Sequence, residues 1–517
     1  MSRNNLLLLL LMLVAAILLI PGLGNTPLWI YDEVRNAECA REMYERNDWI
    51  VPTFNGELRT LKPPLHYFFM FAGFELFGIS EWGARFFSTL IGLFTILITY
   101  LFVKKHSSAN QALITCLILL SSTHFLFQFR MSVPDPYLIF FNVASIFTAY
   151  SYFKEKKIYW LLLSAVCFGL GTLAKGPVAI ALPGIAIFLW LLWEQKLNEI
   201  FSWKILLAVL IVIAVATPWF WLVHNATNGE WTKGFFLEHN VKIFSSPMEG
   251  HSGLFIIVPL FVFLGLLPAS VFIGESLKNF KQQFKDSFLK MALCVLVIFI
   301  LFYSISGTKL PNYPMPCYPF LAIILGHFFI TILECKNRTK NYPFIILLFV
   351  NLAFPIAAFI GIKNEIATSG MENIAIVFAL LTTGSFIGFW FNAKNNFKKS
   401  IIGIFIFYFL FNILFLNWVY PKIYNQNPMS KTIATVNKFE NVVAYQIFHP
   451  SFAYYLPNRV PVYYSLDSLQ KFLTNNTAVV LSRSKFSEEL KKINLKELAV
   501  EHDIFESSTT VVYTNQK

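Results

Sequence analysis

The sequence predicts a polytopic α-helical membrane protein carrying a small α/β domain at its C-terminal end, and three observations predict it. Only 14% of the 517 residues are charged, where soluble domains run at roughly 25%. Hydrophobic residues make up 56%, and the 56 Phe are too many for the core of one globular domain. The apolar runs are long and continuous, not alternating, so helices rather than a barrel must satisfy the backbone in lipid. Gly and Pro number only 24 each, which excludes collagen-like and low-complexity chains.

Charge and cysteine usage narrow the class further. Lys and Arg total 41 against 29 Asp and Glu, a net +12. In a chain this apolar, such an excess belongs to cytoplasmic loops facing anionic lipid, and nucleic acid is not an expected partner. The six cysteines form no CxxC pair and fall mostly inside apolar stretches, so neither a disulfide framework nor a thiolate metal site is indicated.

The apolar runs place about thirteen spans: 5–22, 82–103, 110–127, 136–153, 159–174, 178–193, 204–223, 254–274, 288–305, 312–332, 343–361, 373–391 and 399–419. The first run is long and has no small-x-small cleavage site after it, so an uncleaved span is expected rather than a signal peptide. With the N-terminus cytoplasmic, every even-numbered connection is cytoplasmic and carries a basic cluster. Examples are Lys104-Lys105, Lys154 with Lys156-Lys157, Lys278 through Lys290, Lys336 through Lys340, and Lys394 with Lys398-Lys399. This positive-inside pattern puts the C-terminus outside.

Two polar regions fall on that outer face: the first loop, 23–81, and the tail from 421 to 517. The tail shows β-rich runs at Val442–Ile447, Val460–Tyr464, Ala478–Leu481 and Thr510–Tyr513, with helical patterns at Leu466–Leu473 and Ser484–Ile493. It carries no catalytic motif, and a substrate cap and a stability module are equally open roles. The division expected is a transmembrane domain over 1–420 and a small α/β domain over 421–517.

Long ordered loops in compact proteins are usually functional. The first loop opens Tyr31-Asp32-Glu33, and the spacing through Met43 predicts a short helix on the membrane surface. Asp32 stands at its start, where an N-cap and an active-site carboxylate are both open readings. Further on, Lys62-Pro63-Pro64 holds a lysine on a rigid turn. Such a lysine can snorkel to the headgroups or bind a phosphate. Other outer loops add Arg130 and Asp135, then Lys175, then Glu238, His239 and Lys242, then Lys309 and Tyr313. Carboxylates, cations and a histidine gathered at one membrane surface suit an anionic lipid headgroup. A transporter would keep its charges near the midplane.

These residues carry a resemblance. Asp32-Glu33, Asp48-Trp49-Ile50-Val51-Pro52 with Asn55-Gly56, Lys62-Pro63-Pro64-Leu65, Asp135-Pro136, Lys175-Gly176-Pro177, Pro218-Trp219, Glu238-His239 and Thr308-Lys309-Leu310-Pro311 occur in that order within residues 1–330. The set resembles the bacterial aminoarabinose (lipid A) transferases and the wider protein O-mannosyltransferase-like, GT-C glycosyltransferases. The resemblance implies a multi-pass protein of the bacterial inner membrane with its site and C-terminal domain on the periplasmic side. It implies inverting transfer of a sugar from undecaprenyl phosphate, with or without a metal, to lipid A, another glycolipid or a protein.

Carried over position by position, the resemblance makes Asp32 the catalytic carboxylate, with Asp135 supporting sugar or acceptor. Lys62 would hold the lipid phosphate. Arg35, Lys175 and Lys242 would line the cavity, with Lys309 and Tyr313 closing it. One departure concerns the metal. Relatives often carry Glu immediately before the Lys-Pro-Pro turn, where this chain has Leu61, which cannot ligate. Glu238 adjoins His239 and does not share its helix face. A divalent metal at His239 is therefore an alternative with little support from the ligand set. The runner-up reading from another class is a lipid or sugar flippase. It needs functional charges within the spans, where few occur, Glu75 and Arg85 near the second span being exceptions.

Overall fold

The computed structural model describes residues 3–241, 252–278, 285–335 and 339–516. The first half runs α1 (Arg3–Leu19), α2 (Tyr31–Glu45), the hairpin β1 (Thr53–Phe54) and β2 (Glu57–Leu58), α3 (Leu65–Phe77) and α4 (Glu81–His106). It continues with α5 (Ala109–Ser121), α6 (Thr123–Phe129), α7 (Asp135–Glu155), α8 (Ile158–Lys175), α9 (Val178–Trp193) and α10 (Trp203–Ala226). Further membrane helices follow over Ser287–Ile305, Met315–Glu334, Tyr342–Asn364, Glu372–Ala393 and Phe397–Tyr424. Among the described residues, eight helices are long and apolar enough to cross a membrane, or ten with two bent pairs counted as spans. This is a multi-pass membrane protein. Each expected span coincides with a helix or a bent pair, but three of these are not among the ten: α1 has 17 residues and α9 has 16, short for a hydrocarbon core that takes about 20, and α7, at 21 residues, is long enough but less apolar.

Two spans expected to be straight are broken. Over 110–127 the chain turns by 77° between α5 and α6, and over 254–274 by 113° between Ile257–Gly265 and Ala269–Ser276. In lipid a break exposes backbone groups that only protein can satisfy, and here the two breaks serve each other. The Ser122 hydroxyl donates to the Gly265 carbonyl at 2.5 Å, and the Asn412 amide donates to the Ser121 carbonyl at 3.1 Å. A Cβ at Gly265 would lie 1.8 Å from the Tyr318 hydroxyl.

Charge separates along the helices. Lys105 at the end of α4 pairs with Glu155 at the end of α7 and lies 4.4 Å over the Trp160 ring of α8. The opposite ends of α7 and α8 carry Asp135 and Lys175, which also meet. The basic connections and the acid-bearing loops thus occupy opposite ends of the same helices. Lys281, Lys336 and Arg338 lie outside the described residues.

The C-terminal domain is a five-stranded mixed sheet in the order β4 (Val462–Tyr463), β3 (Asn441–Tyr445), β5 (Ala478–Arg483), β7 (Thr509–Thr514), β6 (Lys496–His502). Strands β4, β3 and β5 run parallel, while β7 is antiparallel to β5 and to β6. Period-two alternation sends Ala444, Val479, Leu481 and Val512 to the face that covers Trp29, and Val443, Val480, Val511 and Tyr513 to the other. The sequence reading lacked β6, whose charged Lys496, Glu497 and Glu501 mark an edge strand, and lacked the short helix Ser451–Tyr455.

The first loop is locked to the bundle by a buried ion pair. Arg85 on α4 grips Glu33 with two bonds, 2.7 and 2.8 Å, and donates to the Leu23 and Thr26 carbonyls at 2.7 and 2.6 Å. The backbone N–H of Ser132 completes the site on Glu33 at 3.0 Å. Removing one partner of a buried pair costs about 3–5 kcal/mol. Arg85→Met should therefore lower the thermal midpoint in detergent steeply, while Lys491→Met, which breaks an exposed helix pair with Glu488, should shift it little. Equal midpoints for the two variants would remove Arg85 from this role.

Candidate active site

Helix α2 starts at Tyr31 and is capped by Ile30, without a side-chain cap bond. Asp32 therefore lies inside the first turn and is not the N-cap. Its carboxylate faces two cations from the hairpin and the turn after it: Lys62 Nζ at 3.6 Å and Arg59 Nη2 at 3.8 Å. The Asp32 side chain keeps 47% of its surface open. The Lys62 side chain is only 11% exposed. It does not reach for the membrane surface; the double proline turns it inward.

Why the chain folds this way is visible residue by residue. Asn55 and Gly56 hold φ of 51° and 82°, the paired positive angles of a two-residue hairpin turn that Asn-Gly favours. The Gly56 N–H donates to the Glu42 carboxylate at 3.0 Å, fastening the hairpin to α2. Asp48 Oδ1 accepts from the N–H groups of Ile50 and Val51 at 2.9 and 3.1 Å, closing a turn. The Trp219 indole then donates to the Trp49 carbonyl at 3.2 Å, and the Trp231 indole to the Arg59 carbonyl at 3.0 Å. Motifs far apart in sequence, Asp48-Trp49 and Pro218-Trp219, thereby build one wall.

A second cluster stands beside the first. Asp135, 3% exposed, accepts from Lys175 Nζ at 2.6 Å and from the Asn312 amide at 2.9 Å. Lys175 also lies 4.6 Å over the Tyr313 ring. Lys175 is near enough to act on Asp32 as well. Burial pushes the Asp32 carboxyl up, but Lys62, Arg59 and Lys175 together outweigh it and hold the group down to about 2. Asp32 is thus a carboxylate at every physiological pH. One acid against two immediate cations leaves this part of the site with one uncompensated positive charge, the complement of a phosphodiester.

Not every expected residue joins this constellation. Lys309 folds back to donate to the Ser306 carbonyl at 2.6 Å and makes no described contact with Asp32. Arg35 lies 5.1 Å from the Tyr31 ring, on the side of α2 facing the C-terminal domain. Lys242 lies outside the described residues, and so does the side chain of His239. Among the described residues no three His, Cys, Asp or Glu side chains group as metal ligands. The sequence assigns Arg59 and Asn312 no expected role, although Asn312 adjoins Tyr313 in its loop. For Arg59 the signal available was its place three residues after an Asn-Gly turn and three before Lys62, on the strand leaving the hairpin.

The family model described as dolichyl-phosphate-mannose-protein mannosyltransferase matches residues 4–232. An uncharacterised protein of Aquifex aeolicus is 30% identical over 315 residues, covering 61% of this chain and 70% of that protein. An undecaprenyl phosphate-alpha-4-amino-4-deoxy-L-arabinose arabinosyl transferase of Shewanella sediminis is 29% identical over 345 residues, 66% of this chain and 62% of that protein. The chain spans 65% and 62% of the length of two such relatives, a second Aquifex aeolicus protein and the Shewanella transferase. The crystal structure of ArnT from Cupriavidus metallidurans, solved with undecaprenyl phosphate bound, superposes with a TM-score of 0.80 at 20% identity, covering 100% of this chain and 99% of that one. The helical membrane architecture with its C-terminal sheet is the fold of that structure.

A folded-state carboxyl below its unfolded value stabilises the protein above about pH 4, and that contribution is lost as pH falls through the folded value. The difference in thermal midpoint between the protein and Asp32→Asn should accordingly stay flat from about pH 5 to 8 and shrink only in stronger acid. A slope inside the neutral window would place the titration of Asp32 elsewhere.

Proposed function

Since the chain belongs to the dolichyl-phosphate-mannose-protein mannosyltransferase family, we propose that it transfers a sugar from a polyprenyl phosphate, such as undecaprenyl phosphate, to an acceptor reached from the outer face of the membrane. The observation that carries this reading is Asp32 held 3.6 Å from Lys62 and 3.8 Å from Arg59. The acceptor class spans lipid A, another glycolipid and exported protein. Residues 1–420 form the transferase domain in this reading and 421–517 its periplasmic domain, an orientation supported by the basic clusters at the opposite helix ends.

A sugar on a lipid phosphate is already activated. In direct displacement the acceptor oxygen attacks the anomeric carbon from the face opposite the phosphate. The bond from that carbon to the phosphate oxygen breaks, configuration inverts, and the phosphate leaves with an added negative charge. Lys62 and Arg59 stabilise that charge where water is partly excluded. Asp32, held at about 2 in the free protein, is a weak base until an anion sits on its cations. A bound phosphate offsets Lys62 and Arg59 and so raises the basicity of Asp32 where an acceptor hydroxyl must lose its proton. For an acceptor that is itself a phosphate no base is needed, and Asp32 orients the sugar. Asp135, tied to Lys175 and Asn312, shapes the sugar pocket with Tyr313. Should a divalent metal take part, His239 is the candidate ligand.

The test is transfer in proteoliposomes supplied with polyprenyl-phosphate sugars and a panel of lipid and peptide acceptors. Asp32→Asn and Lys62→Met should each reduce kcat/KM by about 10²–10³-fold, the cost of deleting one preorganised charge contact, with membrane insertion intact. Wild-type rates in either variant, or donor moving across the vesicle without transfer, would reject the reading.

A further inference from the structure

The C-terminal domain grips the catalytic loop at the residues around Asp32 and leaves Asp32 itself free. The Leu28 N–H donates to the Tyr455 hydroxyl at 2.8 Å. The Trp29 ring stacks on His449 with centroids 3.5 Å apart and planes 4° from parallel. The Tyr31 hydroxyl accepts from Arg483 Nη2 at 2.5 Å, and the Tyr31 ring meets the edge of His449 at 4.5 Å. On the other flank Glu33 is taken by Arg85. Four of the residues around Asp32 are thus fastened, three of them to the sheet domain.

The same domain also holds the segment that carries the cations. Asn55, at the tip of the hairpin, exchanges two bonds of 2.9 Å with the backbone of Val460, one through each end of its amide. Three residues beyond Gly56 comes Arg59, and then Lys62. The acid and the cations sit on separate stretches of chain, and both stretches are clamped by one body.

The grip at Tyr31 is built for rigidity. Arg483 is 5% exposed and pairs with Asp503, which is fully buried. Thr510 accepts from Arg483 at 3.0 Å and donates to Asp503 at 2.7 Å. Within the domain Arg483 Nη1 is engaged by Asp503 and Thr510, while Nη2 reaches Tyr31. A buried ion pair adds little net stability compared with apolar packing; what this one supplies is a fixed direction for the nitrogen that meets Tyr31.

We infer that the C-terminal domain is a positioning module that sets the spacing between Asp32 and its cations, with Arg483 as the positioning residue acting through Tyr31. This rests on the transfer activity proposed above. Displacing a reacting group by about 1 Å can cost on the order of 10²-fold in rate without loss of binding. Arg483→Met should lower kcat by about 10- to 100-fold while the donor KM stays within twofold. Tyr31→Phe, which removes one oxygen and leaves the ring in its stack, should act in the same direction, and Arg483→Lys should recover part of kcat. Tyr31→Phe also keeps the test intact should Arg483→Met not fold. A second arm needs no transfer assay: trapping of the pair Asp32→Cys with Lys62→Cys by a short bifunctional thiol reagent, which spans the gap a direct disulfide cannot, should be efficient with Arg483 present and fall several-fold with Arg483→Met. Unchanged kcat in both single variants, a raised KM at constant kcat, or unaltered trapping would overturn the inference. Trapping of the double-cysteine protein that depends on Arg483 as expected, while wild-type protein transfers no sugar, would overturn the transferase reading alone.

Discussion

Taking a carboxylate and a guanidinium out of water costs several kcal/mol for each ion, and Glu33 with Arg85 recovers it by leaving nothing unpaired. Two bonds join the pair, two carbonyls of the preceding loop take the remaining guanidinium nitrogen, and the Ser132 backbone takes the carboxylate. Three separate pieces of chain thereby converge on this pair: the start of the first loop, helix α4 and the turn that leads to Asp135. Because Glu33 immediately follows Asp32, this lock fixes where the adjacent carboxylate points. The site exists because its neighbour cannot move.

Within the site the charges divide their work. Asp135 and Lys175 neutralise one another and, with Asn312, hold two helix ends and the fifth loop together. Asp32, Lys62 and Arg59 remain unbalanced, with side-chain contacts longer than the tight pairs elsewhere in the molecule. Tight pairs are structural cement, whereas a loose trio with excess positive charge is what the proposed phosphate site requires. The contrast in distance, 2.6 Å for Lys175 with Asp135 against 3.6 Å for Lys62 with Asp32, separates the two functions more clearly than residue identity does.

Much of this was legible in the amino-acid sequence because the signals are local. Continuous apolar runs marked the membrane helices and the spacing from Tyr31 marked α2, while the hairpin signal in Asn55-Gly56 went unread. Alternating runs located four of the five strands. What could not be read is what depends on distant contacts. The sharp bend at Ser122 has no proline or glycine to betray it; Asn412 arrives from elsewhere to satisfy the Ser121 carbonyl there, and the Ser122 hydroxyl in turn satisfies the carbonyl of Gly265. Arg59 looks like any basic residue after a turn until Asp32 is folded over it. Lys309 matched a family motif in sequence, yet its side chain closes on its own turn.

The hairpin of α7 and α8 places Asp135 in the first turn of one helix and Lys175 in the last turn of the other. Each charge is thereby matched twice, once to its partner and once to the partial charge at its own helix terminus. The pair consequently has a polarity inherited from chain direction. Exchanging the two side chains would preserve the ion pair and its length while setting both ions against the peptide dipoles beneath them. Acid and base here are not interchangeable ends of a bridge: the direction of the polypeptide assigns each its place.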